Sequence, residues 1–178
     1  MTTLETLLND PVPAGVWNIV ADRSAVTFRI RNMWGLLNVN GRFTEFSGDG
    51  QLAGAGAVSG RLDISTASVD TGIGRRDKHL RSADFFDVER FPEIRVVVSA
   101  VHPTAGNAAE LRASFTIKGV TAPVELPVTV TESGDGSIQI SGETTIDRSR
   151  FDIGWNKFGM IAPTATAAAQ VVFVRSAP

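Results

Sequence analysis

The side chains best suited to chemistry lie in one charged segment of the sequence. Residues 74–90 read GRRDKHLRSADFFDVER, in which arginines, aspartates and one histidine occur close together. Placed around the mouth of a pocket, such groups could hold the polar part of a ligand. The candidate residues are Arg75, Arg76, Asp77, His79, Arg81 and Asp84. Two other interpretations stay open: a solvated cap whose charges pair with one another, which is the simplest, and an enzymatic acid–base site built from Arg76, Asp77, His79 and Arg81.

Other catalytic and metal-binding patterns are weak. A metal site needs several converging ligands, but the chain has only His79 and His102, far apart in sequence, so we expect no metal and no other cofactor. His102, next to Pro103, is typical of a surface turn. The tripeptide DTG at 70–72 occurs at aspartic protease sites, which need two copies, and a single copy indicates a turn at a strand end. GAGAVSG at 54–60 lacks the helix that follows a dinucleotide-binding loop and predicts a hairpin loop.

The composition excludes further classes of chemistry. None of the 178 residues is Cys or Tyr, so thiol nucleophiles, disulfides, thiolate metal sites and phenolic acids are absent. The formal charge of -2 gives no reason to expect nucleic acid or an anionic membrane as a partner. Neither a secretory signal nor an apolar run of roughly 20 residues is visible, so we expect a cytoplasmic protein without a transmembrane segment.

The elements that must position these residues are mostly strands. A short helix is expected at 3–9, where Leu4, Leu7 and Leu8 share one face, within an N-terminal extension (1–13) ahead of a single domain (14–178). Apolar and polar residues then alternate with the period of two that strands have. The strongest alternation lies at 24–31, 61–65, 94–98, 115–117, 124–130, 137–146 and 170–175.

Strands with one apolar face, joined by Gly-rich turns, indicate an antiparallel all-β protein. The clearest hairpin has its turn at 119–123, and Pro127 in its second strand should face an edge, a bulge or an unpaired position. Segment 74–90 breaks the pattern and predicts a short helix or ordered loop, with Leu80, Phe85 and Phe86 closing one end of the fold. A closed up-and-down barrel and a two-sheet sandwich both fit this alternation.

Three long segments narrow the choice. STASVDTGIGRRDKHLRSADFFDVERFPEI (65–94), FTIKGVTAPVEL (115–126) and TTIDRSRFDIGW (144–155), together with SAVTFRIR and NGRFTEFSG, resemble the YceI-like isoprenoid-binding proteins. These segments span 24–155 and contain many residues that are not general strand formers. Asn32 stands where that family often has His, and Asp152 where it usually has Gly. We therefore expect the Asp152 backbone to avoid the conformations that only Gly favours.

The resemblance implies an extended lipocalin-like barrel of about eight antiparallel strands, a size that can hold one ligand. It also implies a non-enzymatic protein that stores or carries a polyprenyl or prenyl-quinone lipid, with the charged residues of 74–90 near the lipid head group. A homodimer, and a barrel with a filled core that acts through protein contacts, are the alternatives left open. The residues expected to line the cavity are Val26, Phe28, Ile30, Leu62, Ile64, Val96, Phe115 and Ile117.

Overall fold

All strands of the described part of the chain belong to one antiparallel sheet. The computed structural model describes residues 3–9, 15–52 and 57–177. Its strands are β1 (Gly15–Ile19), β2 (Ala25–Asn32), β3 (Leu37–Phe43), β4 (Phe46–Leu52), β5 (Val58–Ser65), β6 (Val69–Asp70), β7 (Glu93–Pro103), β8 (Ala108–Ile117), β9 (Val120–Glu132), β10 (Ile138–Asp147) and β11 (Thr164–Arg175). Two α-helices accompany them, α1 (Thr3–Asn9) and α2 (Gly74–Arg81).

The sheet closes into a barrel. Neighbouring strands follow the order β1-β4-β5-β7-β8-β9-β10-β11, and β11 pairs again with β1, where Phe173 lies opposite Ile19 and Arg175 opposite Trp17. The other half of β11 pairs with β2, which pairs with β3, and β3 with β6. Eight strands thus form a ring that three further segments extend. This confirms the up-and-down barrel and excludes the sandwich.

Strict alternation decides which side chains face the interior. In β8, every second residue is buried, from Ala109 and Leu111 through Phe115 to Ile117. The first two belong to an apolar cluster at one end of the barrel, and the last two belong to a second cluster at the other end. The interior is therefore apolar along its whole length.

The two helices lie at opposite ends of the barrel. Leu4 and Leu8 of α1 are buried in the first cluster beside Trp17, as the helical spacing predicted. Helix α2 confirms the helix expected within 74–90, and its Leu80 packs with Phe85 against the second cluster. Among the described residues, no helix is both long and apolar enough to cross a membrane.

The turn between β8 and β9 is tighter than expected. Strand β9 begins at Val120, so the predicted turn at 119–123 is wrong, and the turn consists of Lys118 and Gly119 alone, with φ of 51° and 76°. Two residues in the left-handed region suit the twist of a hairpin. Pro127 lies opposite Glu110 in the β8–β9 pair, so it is not at an edge, but on its other side it lies just beyond the last β9–β10 pair, Val128 opposite Gly142.

Two strands, β11 and β5, begin earlier in the sequence than expected. The last strand begins at Thr164 and not at residue 170, because its first half is rich in alanine and gives no apolar alternation. Gly60 of the expected loop at 54–60 lies inside β5, whereas Gly54 and Gly56 fall outside the described residues.

Candidate functional site

The barrel encloses a cavity of about 560 Å³. It extends from Leu7 of helix α1 at one end to Lys157 and Met160 at the other. This space contradicts the alternative of a filled core. All eight side chains expected at the lining do face it: Val26, Phe28, Ile30, Leu62, Ile64, Val96, Phe115 and Ile117.

Small residues keep the cavity open. One wall comes from β11, where Ala165, Ala167 and Ala169 line the space, and Gly142 of the neighbouring β10 adds to it. Side chains of this size leave volume that Leu or Phe would fill. Alternating apolar residues did not indicate this wall, and its only signal in the sequence is the run of small residues TATAAA at 164–169.

Two of the six charged residues predicted for the mouth line the cavity, Arg76 and His79. Arg76 is held by Thr71, since its Nε donates to Oγ1 at 2.7 Å and its NH2 group to the carbonyl oxygen at 2.8 Å. His79 Nε2 lies 2.8 Å from Asp84 Oδ2, and the ring packs edge-on against Trp155 with centroids 4.5 Å apart. Both side chains are thus fixed in orientation.

The other four predicted residues do not line the cavity. Buried Asp77 accepts a hydrogen bond from the Thr71 backbone N–H at 2.9 Å. Arg81 donates to the carbonyls of Ala67 and Val69, at 2.8 and 2.9 Å. Asp84 is the partner of His79, and Arg75 is exposed. The four residues of the acid–base alternative therefore do not converge on one point.

The DTG tripeptide forms the turn that the sequence indicated. Asp70 accepts a hydrogen bond from the Gly72 N–H at 2.9 Å and pairs with Arg42 at 3.2 Å. These two contacts, the N–H first, lower the pKa of Asp70. Gly72 has a φ of 83°, which suits glycine in a turn.

Arg148 is a cavity residue that the sequence analysis missed. Its side chain is buried and lines the cavity. The guanidinium donates to the carbonyls of Ile153 at 2.6 Å, Ala162 at 2.9 Å and Trp155 at 3.3 Å. It forms no salt bridge with any described carboxylate, and burial lowers its pKa. A guanidinium here can donate to an oxygen atom of a guest. Its only signal in the sequence was its place in TTIDRSRFDIGW.

Comparison with known proteins identifies the family. Residues 17–173 match the YceI-like domain. This chain belongs to the YceI-like family. A UPF0312 protein of Pseudomonas putida strain W619 is 33% identical to it over 131 residues, which are 72% of this chain and 67% of the relative.

Solved structures share the YceI-like barrel. BcnA of Burkholderia cenocepacia superposes with a TM-score of 0.80 at 28% identity, over 86% of this chain and 98% of BcnA. A domain of Saccharophagus degradans described as polyisoprenoid-binding and implicated in plant cell wall breakdown has a TM-score of 0.75 at 16% identity, over 90% of this chain and 98% of that domain. At that identity, the second likeness concerns the fold alone.

Two positions differ from the YceI-like pattern. Asn32 lines the cavity, and its Oδ1 accepts a hydrogen bond from the Met33 N–H at 2.7 Å. The backbone of Asp152 is left-handed, with φ of 56° and ψ of 34°. Among non-glycine residues, Asp and Asn tolerate this region best. The carbonyl oxygen of Asp152 accepts a hydrogen bond from Lys118 Nζ at 3.0 Å, which helps to hold it there.

The remaining candidates lie away from the cavity. His102 is exposed, as expected, but it lies within β7, opposite Glu110 of β8, so the turn predicted there is wrong. Within the residues that the structure describes, no three His, Asp or Glu side chains are grouped so that they could hold a metal ion.

Proposed function

We propose that this YceI-like protein binds the hydrocarbon tail of an isoprenoid lipid, of the polyprenyl or prenyl-quinone type, and stores or carries it unchanged. The observation that carries the proposal is the cavity of about 560 Å³ inside an apolar barrel. Ligand pockets commonly measure roughly 300–1,000 Å³. A structural neighbour described as polyisoprenoid-binding supports the same class of guest.

Hydrocarbon burial supplies enough free energy for this role. Burying about 400 Å² of prenyl chain is worth on the order of 10 kcal/mol before the costs of association are subtracted. No reaction is needed for such binding, and no cofactor enters the proposal. Two of the four residues of the acid–base alternative, Asp77 and Arg81, are instead directed to backbone groups of the loop.

The polar groups at one end of the cavity suit a head group. Arg76, His79 and Arg148 all line the cavity near helix α2. The guanidinium groups can donate hydrogen bonds to carbonyl or phosphate oxygens, and the bonds that already hold Arg76 and Arg148 fix their direction. We therefore place the lipid head group at this end and the tail towards helix α1.

The direct test is to identify what the protein carries. Protein purified from cells is extracted into organic solvent and analysed by mass spectrometry, and the emptied protein is titrated with a prenyl quinone. We expect a prenyl lipid in the extract and saturable uptake of the quinone. Finding neither would contradict the proposal.

A substitution in the wall tests where the tail lies. Ile117→Asp would place a carboxylate in the cavity, which is unfavourable beside hydrocarbon, so quinone uptake should fall by about tenfold or more. The matched control is Thr116→Asp, which adds the same group to the opposite face of β8. Circular dichroism confirms that both variants fold. Unchanged uptake in folded Ile117→Asp would remove this residue from the binding site.

A further inference from the structure

Large apolar side chains are exposed together at the α2 end of the barrel. Nine large hydrophobic residues are exposed in the described part of the chain, and five of them lie in or directly after two neighbouring turns. Trp34 is 66% exposed, Leu36 82% and Phe158 78%. A concentration of this kind marks an interaction surface more often than scattered exposed residues do. The five residues, referred to below as the apolar rim, are Met33, Trp34, Leu36, Leu37 and Phe158.

The two turns form one surface beside the cavity. The Trp34 N–H donates to the Met160 carbonyl at 3.1 Å, which joins the β2–β3 turn to the turn that contains Phe158. Asn32 lines the cavity directly before the first turn, and Lys157 and Met160 line it on either side of the second. The apolar rim therefore lies where the cavity meets this end of the barrel.

Hydrogen bonds hold the aromatic side chains in exposed positions. Trp34 and Phe158 both have left-handed backbones, with φ of 55° and 56°. This conformation costs roughly 1–2 kcal/mol in a residue other than glycine. The second turn is fixed because Asn156 accepts a hydrogen bond from the Ile161 N–H and donates one to its carbonyl, both at 2.8 Å. The exposure of these rings is thus built into the turns.

The two stretches of chain that form the apolar rim carry only positively charged side chains. No Asp or Glu occurs at 23–44 or at 153–178, the two stretches that contain the rim. Arg31 and Lys157 flank it, and neither forms a salt bridge with a described residue. Lys157 Nζ lies 5.5 Å from the centroid of the Phe158 ring. The formal charge of -2 for the whole chain conceals this local excess.

We propose that the apolar rim docks on a lipid bilayer with anionic head groups. Trp and Phe side chains enter the interfacial layer of a membrane, and neighbouring Lys and Arg side chains reach the lipid phosphates. Docking of this kind places the end of the cavity against the membrane. The idea that a prenyl guest passes there rests on the proposed function, whereas the docking itself does not.

Vesicle binding tests the proposal. The protein is floated with vesicles of phosphatidylcholine alone or of phosphatidylcholine mixed with phosphatidylglycerol. We expect tighter binding to the mixed vesicles, weakened by added salt. Trp34→Asn with Phe158→Asn should lower the partition coefficient by about tenfold or more, since Asn tolerates the left-handed backbone but lacks the apolar surface. Arg31→Gln and Lys157→Gln should each lower binding to the mixed vesicles by about fivefold.

Matched controls separate docking from other effects. Val16→Thr with Val97→Thr exchanges one exposed methyl group for a hydroxyl at each of two positions outside the rim and should leave vesicle binding unchanged. Absence of wild-type binding, or equal binding by the rim variant, would overturn the proposal. A concentration-dependent dimer that the rim variant abolishes, without vesicle binding, would assign the rim to a second copy and also overturn it. Uptake of detergent-solubilised prenyl quinone tests the guest separately, and it should persist in the rim variant.

Discussion

Gly41 shows how a missing side chain shapes the cavity wall. It lies opposite Phe28 in the β2–β3 pair, and a Cβ atom at residue 41 would stand 2.2 Å from Cζ of the Phe28 ring. Phe28 also packs against Phe43, with ring centroids 5.6 Å apart, so the ring has little freedom to move. The Phe28 rotamer, and with it the width of the cavity, therefore depends on glycine at 41.

Gly41→Ala should destabilise the protein and narrow the cavity. The displaced Phe28 ring must move into the interior or push the strand outward, and overpacking of this kind costs about 1–3 kcal/mol. Gly134→Ala is the control, because a Cβ at that residue meets nothing within 4 Å. Chemical denaturation gives the free energy of unfolding for both variants. Equal stability of Gly41→Ala and the wild type would show that the ring relocates without cost.

Sequence predicted the apolar lining residues better than the polar ones. A period of two assigns each strand residue to one face, so Val26 to Ile30 and Phe115 to Ile117 could be placed in the interior directly. Charged residues in loops follow no such period, so the sequence does not show which way their side chains point. Arg81 and Asp77 turn towards backbone groups that only the folded chain brings near them, and Arg148 turns into the cavity for the same reason.

Among the elements of the fold, the turn between β9 and β10 contains contacts that depend on pH. In the β9–β10 turn, Asp135 Oδ1 accepts hydrogen bonds from the Ser137 hydroxyl at 2.6 Å and from the Ser137 N–H at 3.0 Å, and Oδ2 lies 3.2 Å from Arg23. These contacts, with the hydroxyl first, lower the pKa of Asp135. The folded protein therefore holds this carboxylate ionised at a pH where the unfolded chain already binds a proton.

Because the pKa of Asp135 is lower in the folded than in the unfolded protein, the stability of the fold depends on pH. The contribution of Asp135 to stability is present above its unfolded pKa of about 3.9 and is lost as the pH falls through the lower folded value. Asp135→Asn should therefore lose stability relative to the wild type at pH 6, and the difference should shrink towards pH 2. Urea denaturation across this range measures it, with the exposed Asp22→Asn as control. A difference that stays constant with pH would contradict the assignment.

Strands without apolar alternation were missed for a physical reason. Strand β4 reads FSGDGQL, and in it Gly48 and Gly50 occupy alternate positions where other strands carry large apolar residues. A Cβ at residue 48 would meet the Arg61 carbonyl oxygen at 2.3 Å, so close packing of two strands requires glycine there. The first half of β11 was missed for the same reason, because its residues are mostly alanine. Where packing requires a small residue such as Gly or Ala, the sequence lacks the alternation of large apolar and polar residues from which strands are predicted.

At the scale of the whole molecule, closure of the barrel depends on contacts between the two ends of the chain. Trp17 of β1 pairs with Arg175 of β11, although they lie far apart in the sequence. Periodicity within each strand cannot reveal this pairing, which is why alternation alone left barrel and sandwich open. The resemblance to YceI-like proteins, carried by the segments at 65–94 and 144–155, decided between them before the structure did.

The structure also predicts that helix α1 covers one end of the barrel without being needed for its closure. An isolated helix of seven residues is unstable in water, so α1 persists only through burial of Leu4 and Leu8. Leu8→Asp should raise amide exchange in residues 3–9 by about a hundredfold, because removing a buried Leu costs about 2–5 kcal/mol. The barrel strands β9 and β10 should keep their protection from exchange. Asn9→Asp adds the same carboxylate at an exposed position; it removes the hydrogen bond from Asn9 Nδ2 to the Glu5 carbonyl oxygen (3.0 Å) but no buried apolar contact, so it should raise exchange far less than Leu8→Asp. Hydrogen exchange measured by mass spectrometry distinguishes the two, and equal loss of protection throughout the barrel in Leu8→Asp would show that helix and barrel unfold as one unit.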